Sequence, residues 1–298
     1  MVSLHVNNVG LKYPVPRTFS LRRQTGRHPD ESPVGGRLET GAGGKNFVTA
    51  LEDVTFSLKA GDRLALIGPN GAGKTTLLKL LYGIFTPSTG TVTREGRVDA
   101  LFNINLGFRG DVSGRRNILL RGLLNGWSPR EIEARMEEII DFSRLGDFID
   151  MPFNSYSQGM AARLAFATAT SFEPQILLMD EWIGAGDAEF AQQAQARMDS
   201  IVARAGIIVL ASHNLDLLRR VCNKALWLKQ GRVEEFTKSK KVLDDYIWKT
   251  RSDRLEAARA AEAARAAEAA QALETVRSRE AATKAKPASG KAKSSRIE

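Results

Sequence analysis

Residues Asp62 to Thr76 read DRLALIGPNGAGKTT, and this stretch constrains the fold more than any other. Leu64, Ala65, Leu66 and Ile67 form an apolar run suited to a buried strand, a glycine-rich turn follows, and a helix is predicted to begin near Lys74. Gly68, Gly73, Lys74 and Thr75 meet the spacing G-x-x-x-x-G-K-[ST]. Glycines let the backbone curl so that several N–H groups face a polyphosphate, and the helix N-terminus adds positive potential. Gly68, Pro69, Asn70, Gly71, Ala72 and Gly73 are therefore the candidate cradle. Lys74 is placed to reach the β- and γ-phosphates and the Thr75 hydroxyl to meet magnesium, and Thr76 beside them is a further candidate nucleotide-binding residue. A chance glycine turn needs neither the strand before it nor the helix after it. This is a nucleotide-phosphate site.

Alternation of strands and helices surrounds that loop. Residues 2–13 read as a strand ending in Tyr13, and FVTALEDVTFSL (47–58) as strand-like structure. Between them, residues 14–49 are rich in Pro, Gly and Arg without an apolar period, and read as an insertion or mobile loop. PSTGTVTREGRVDALF reads as glycine-punctuated hairpin strands. Residues 117–150 are predicted mostly helical. In SPREIEARMEEIIDFSRL, Ser128 is the cap, Pro129 the first helical residue and Glu131 the third after the cap. Helices over Gln158–Thr170 and Asp187–Arg204 each lead into a fully apolar strand, QILLMDE and GIIVLASH. That pattern predicts an α/β fold whose parallel sheet is covered on both faces.

Three further groups complete the candidate site. Asp180 and Glu181 end the apolar run ILLM, at the sheet edge where a nucleotide's magnesium must be held. Asp180 is the candidate metal ligand with Thr75, and Glu181 the group to orient or deprotonate an attacking water. His213 follows IIVLAS and is placed to contact the γ-phosphate; alone it would more often be a satisfied core histidine. Tyr156 to Met160, YSQGM, open a helix and offer Ser157 and free N–H groups to an anion.

In order along the chain, GPNGAGKTT, YSQGM, ILLMDE, GAGD and SHN resemble the nucleotide-binding subunit of an ABC transporter, over about residues 2–250. The resemblance implies a P-loop NTPase of ABC type: a mixed-sheet core, an antiparallel β subdomain and a helical subdomain near 101–155, with ATP and Mg²⁺ as cofactors. It makes Tyr13 the adenine-stacking residue, Ser157 and Gly159 the signature motif, Asp187 the D-loop acid and His213 the switch histidine. The signature acts on ATP held by a second copy of the chain, and closure of the pair drives an integral-membrane permease.

YSQGM, DEWIGAGDAEF and NINLGFRGDVSGRRNI further resemble the ATPases of bacterial O-antigen, teichoic-acid and capsule exporters. The function so implied is to energise transport of lipid-linked polysaccharide from the cytoplasmic face of the inner membrane, the glycan being an indirect partner. Two departures stand out. Some members carry a large carbohydrate-binding domain after the ATPase, where this sequence has only a charged segment. The glutamine of the Q-loop is absent, and Asn103 and Asn105 lie nearest, either of which could replace it. The alternatives are the ATPase of an importer or small-molecule exporter, against which YSQGM and DEWIGAGD weigh, and a soluble ABC protein acting on nucleic acid.

Charge bears on that last alternative. The net charge of +9 is concentrated in two places. Residues 14–49 carry six Arg/Lys against three acids, and 251–298 carry eleven against seven. Residues 251–298 form a separate tail: from Glu256 a six-residue repeat, EAARAA-like, turns a helix by about 600° per repeat, so no constant apolar stripe forms. An exposed helix is predicted from about 253 to 284, then a disordered basic end without aromatic residues to stack on bases; no nucleic-acid partner is expected. No apolar run approaches the roughly 20 residues that span a bilayer. The N-terminus lacks a secretory pattern, and the lone Cys222 has no internal disulfide partner, so a cytoplasmic, membrane-associated protein is expected.

Overall fold

The computed structural model describes residues 1–15, 37–40, 46–102, 107–182, 188–238 and 241–249. The chain divides into two units, Met1–Tyr246 and Ile247–Glu298. Of the second, only 247–249 lie among the described residues, and they are helical. The predicted tail helix lies outside the described residues.

Two sheets sandwich one helix in the first unit. The antiparallel sheet is ordered β2-β3-β1-β5, from β1 (Ser3–Val15), β2 (Arg37–Thr40), β3 (Asn46–Lys59) and β5 (Thr89–Glu95). The larger sheet runs β10-β9-β4-β8-β7-β6, from β4 (Arg63–Ile67), β6 (Val98–Leu101), β7 (Ile176–Asp180), β8 (Ile207–Ala211), β9 (Lys224–Lys229) and β10 (Arg232–Lys238). Its strands β6, β7, β8, β4 and β9 are parallel, and β10 joins β9 antiparallel at the edge.

Period-2 side-chain alternation explains why the central strands carry no polar face. Leu64 and Leu66 of β4, Ile176 and Leu178 of β7, and Ile207 and Val209 of β8 face one core. There they meet Leu77, Leu78, Leu80 and Leu81 of helix α1 (Lys74–Tyr82) and the inner residues of β1 and β3, Leu4, Val6, Phe56 and Leu58. The alternate residues Ala65, Ile67, Leu177, Met179, Ile208 and Leu210 face a second core. Phe166 of α4 (Gln158–Ala169), Met198 of α5 (Ala188–Arg204) and Leu218 of α6 (Leu215–Val221) close it.

A third core holds the helical region together. Ile118 of α2 (Gly114–Leu124), Ile132, Ile139 and Ile140 of α3 (Pro129–Ser143), and Leu164 of α4 are buried against one another. The capping box of α3 is present as its sequence indicates: Glu131 N–H donates to Ser128 Oγ at 3.3 Å and Ser128 N–H to Glu131 Oε2 at 2.7 Å.

Two expectations are corrected. The 87–102 segment is not a hairpin: β5 pairs with β1 in the antiparallel sheet, whereas β6 pairs with β7 in the parallel sheet. Gly96, at φ 119, lies where the chain passes from one sheet to the other, so the turn motif was real but the pairing was not local. Within 14–49, β1 continues to Val15, and Arg37–Thr40 pairs with Asn46–Thr49 as a strand pair. Its remaining residues, 16–36 and 41–45, lie outside the described residues. Strand β9 and its hairpin partner β10, not anticipated from sequence, complete the sheet beyond β4.

Candidate active site

Between Ile67 and Lys74 the backbone makes a tight loop at the carboxyl end of β4. Gly68 has φ 149, and a Cβ there would lie 2.2 Å from the carbonyl oxygen of Leu228 on β9. Only glycine lets strand and loop pass this close. Gly73 is the N-cap of α1, without a side-chain cap and without an acidic residue in the first turn. The amide groups that open α1 are thus left for an external anion.

Lys74 folds back over the loop, its Nζ donating to the carbonyls of Gly68 at 2.8 Å and Pro69 at 3.0 Å. Burial pulls its pKa below the ordinary lysine value, and the carboxylates of Asp180 and Glu181 oppose that shift. Thr75 Oγ1 donates to Asp180 Oδ2 at 2.6 Å. Asp180 is the last residue of β7 and is in register with Ala211, the last of β8.

Glu181 leaves the sheet with φ 88, a left-handed conformation that disfavours a non-glycine residue. Its N–H donates to Ala211 O at 2.8 Å. Its carboxylate accepts from the Ser212 hydroxyl at 2.8 Å and from the His213 N–H at 3.2 Å. The His213 ring Nε2 lies 4.0 Å from Glu181 Oε1.

These groups surround a cavity of about 430 Å³. Asn70, Gly71, Gly73, Lys74, Thr75 and Thr76 line it from the loop and α1, and Asp180, Glu181 and His213 from the ends of β7 and β8. Gly68, Pro69 and Ala72 form the back of the loop, and Ala72 is buried. Residues separated by more than a hundred positions are thus brought to one mouth at the carboxyl edge of a parallel sheet.

The other predicted residues lie elsewhere. Tyr13 does not line the cavity; its ring meets Phe85 edge-on, with centroids 5.4 Å apart. Burial raises its phenol pKa, and a hydrogen bond with Thr76 opposes the shift. Ser157 caps α4, its Oγ accepting from Met160 N–H at 3.2 Å. Ser157 and Gly159 are both exposed, and neither lines the cavity. Asp187, Asn103 and Asn105 lie outside the described residues. Sequence reasoning missed Ala50 on the cavity wall and Ser212 behind it. The SHN run contains Ser212, but nothing in its sequence pattern marks the serine.

A family model described as ABC transporter matches residues 51–184. The O-antigen export system ATP-binding protein RfbE of Yersinia enterocolitica is 41% identical over 237 residues, 79% of this chain and 98% of that protein. RfbB of Myxococcus xanthus, of the same description, is 42% identical over 67% of this chain and 46% of its own length. The teichoic acids export ATP-binding protein TagH of Staphylococcus haemolyticus is 32% identical over 82% of this chain and 88% of its own. Among solved structures, an ATP-binding subunit of an ABC transporter superposes with a TM-score of 0.57 at 23% identity, over 82% of this chain and 92% of its own. A dimeric ATP-binding cassette bound to ADP and Pi gives 0.55 at 19% identity, over 79% of this chain and 98% of its own. These two speak for the fold alone. The relatives and the cassette fold together settle the family: the chain belongs to the ABC transporter family, as one of its ATP-binding, ATP-hydrolysing subunits.

Proposed function

We propose that this chain energises export of a lipid-linked, O-antigen-like polysaccharide by hydrolysing ATP at the cytoplasmic face of the bacterial inner membrane. The observation that carries the catalytic part is the convergence of Lys74, Thr75, Asp180, Glu181 and His213 on one cavity. The relatives named for O-antigen and teichoic-acid export support the polysaccharide part.

Each residue has a part in that reading. The loop Gly68 to Gly73 wraps the polyphosphate with backbone N–H groups, and Lys74 leaves its two carbonyls to bind the β- and γ-phosphates. Thr75 and Asp180 present two oxygens within hydrogen-bond reach of each other, a donor pair that fits a hard, oxygen-preferring cation sharing the phosphates. Magnesium held by Thr75 and Asp180 would supply neutralisation of the nucleotide's phosphate charge. Glu181 takes a proton from the water that attacks the γ-phosphorus, the bond to the β,γ-bridging oxygen breaks, and ADP departs. His213 steadies the γ-phosphate at the same mouth.

Ser157 and Gly159, exposed at the start of α4, present that helix N-terminus to the ATP of a second copy, giving a sandwich of two chains and two nucleotides. Tyr13 stacks on adenine after parting from Phe85. The permease docks on the 101–155 face, where Leu123, Leu124, Phe148 and Met151 are exposed apolar side chains.

Glu181→Gln tests both parts. The purified variant should bind ATP, dimerise and barely turn over, and wild-type hydrolysis would remove Glu181 from the mechanism. In cells carrying it, mass spectrometry of the cytoplasmic fraction should find a polyprenyl-linked polymer accumulating. A change in another solute pool instead would leave the ATPase and overturn the polysaccharide assignment.

A further inference from the structure

We infer that Ser212 is a positioning residue for hydrolysis, its hydroxyl holding the Glu181 carboxylate at the mouth of the nucleotide cavity. The inference rests on the reading of Glu181 as the group that takes the proton from water. Residues 211–213 clamp Glu181 from three sides: Ala211 O on its N–H, Ser212 Oγ on Oε2 and His213 N–H on Oε1. A non-glycine residue at φ 88 persists only where its surroundings over-determine it, and these contacts are the over-determination.

The direction of the Ser212 hydroxyl follows from its second bond. Ser212 is buried, with 5% of its surface exposed, so water does not compete freely for the group. Its oxygen accepts from Asn214 N–H at 3.2 Å, which leaves its own hydrogen for Glu181. Asn214 in turn caps α6, its Oδ1 accepting from Leu217 N–H at 3.0 Å. An unbroken chain of hydrogen bonds thus runs from the first turn of α6 to the carboxylate.

The carboxylate needs such a tether. The Glu181 side chain is 53% exposed. Beyond it lies a second cavity of about 580 Å³, whose wall includes Trp182 and the cation Arg220. Untethered, the carboxylate has both solvent and this second cavity to turn toward, away from the water it must meet. A group held in its reacting geometry avoids that entropy loss at the moment of reaction.

The test uses the full-length chain, with steady-state ATP hydrolysis across ATP concentrations and equilibrium binding of a fluorescent ATP analogue. Losing a hydrogen bond to a charged group should lower kcat of Ser212→Ala about tenfold or more. KM and the analogue's Kd should stay within about twofold of wild type, since the tether touches no phosphate. Ser212→Thr keeps the hydroxyl and should recover most of the rate. Ser212→Cys keeps the volume with a weaker donor and should lose as much as alanine, which serves if the alanine variant does not fold. In a Glu181→Gln background, Ser212→Ala should cause no further loss.

A Ser212→Ala enzyme with wild-type kcat, beside an inactive Glu181→Gln, overturns the inference and leaves the Glu181 reading standing. Equal losses in the alanine and threonine variants, with nucleotide affinity falling in parallel, make Ser212 merely structural and also overturn it. An undiminished effect in the Glu181→Gln background does the same. Wild-type turnover by Glu181→Gln removes both.

Discussion

The Thr75 hydroxyl donates to the Asp180 carboxylate at 2.6 Å, although 105 positions separate them. Strand β8 lies between β4 and β7, so the two residues do not meet through neighbouring strands. Helix α1 spans the gap, crossing the sheet face to pack on β7 and delivering its first turn to the end of that strand. The pair of oxygens is thus a product of helix packing as much as of the loop.

Asp180→Asn tests what the pair holds. The amide keeps the shape and the contact with Thr75 but removes the charge. Magnesium-dependent phosphate release should fall by about a hundredfold or more, because a neutral ligand holds a hard cation poorly. Nucleotide binding measured by calorimetry in EDTA should change by less than about threefold, since no cation contributes there. A parallel loss in EDTA would mean that Asp180 acts on the protein's folding and not on the ion.

The turn between β9 and β10 braces the phosphate loop from outside. Gly231 N–H donates to Ala72 O at 3.0 Å, and Gly231 O accepts from Glu52 N–H at 2.9 Å. Its φ is 81, and a Cβ there would lie 2.5 Å from the backbone oxygen of Ala50, a cavity-lining residue. Gly231→Ala should lower the free energy of unfolding in chemical denaturation by roughly 2 kcal/mol. It should also weaken nucleotide binding, because the loop loses its outer support. Unchanged stability and affinity would show that the turn moves independently of the loop.

Cys222 sets a pH dependence. Burial pushes its thiol up to about 12 from 9.0, with a smaller opposing effect from Arg63. Between those two values the folded chain keeps a proton that the unfolded chain releases. The unfolded state then binds fewer protons, so stability falls as pH rises, by about 1.4 kcal/mol per unit from this group. The stability gap between wild type and Cys222→Ala should narrow from about pH 9 upward, measured by urea unfolding. The native thiol should also resist Ellman's reagent near pH 8 and react once unfolded, since only the thiolate attacks.

Much of the candidate site was legible because its parts are local. The loop needs glycine where the backbone passes under β9, and a lysine and a threonine on the first helical turn, and these follow one another in the chain. The acids at the end of ILLM and the histidine after IIVLAS were legible for a related reason: an apolar strand that ends in a polar residue marks a sheet edge. Ser212 and Gly231 were not. Ser212 is a common residue type whose role depends on the left-handed turn at Glu181, and nothing in SHN reports that dihedral. Gly231 matters through Ala50 and Ala72, residues that no local pattern joins to it.

By itself the sequence determined the strand–loop–helix at 62–76, the capping box at Ser128, the buried parallel strands and the residue types at the mouth of the cavity. Each rests on periodicity or on short spacings that the covalent chain enforces. Only the tertiary structure decided that β5 and β6 part into different sheets, that α1 lies between those sheets, and that Glu181 turns back onto residues 211–213. Those outcomes depend on which apolar faces bury against each other. Burial is a property of the assembled core, to which any one segment contributes only a face.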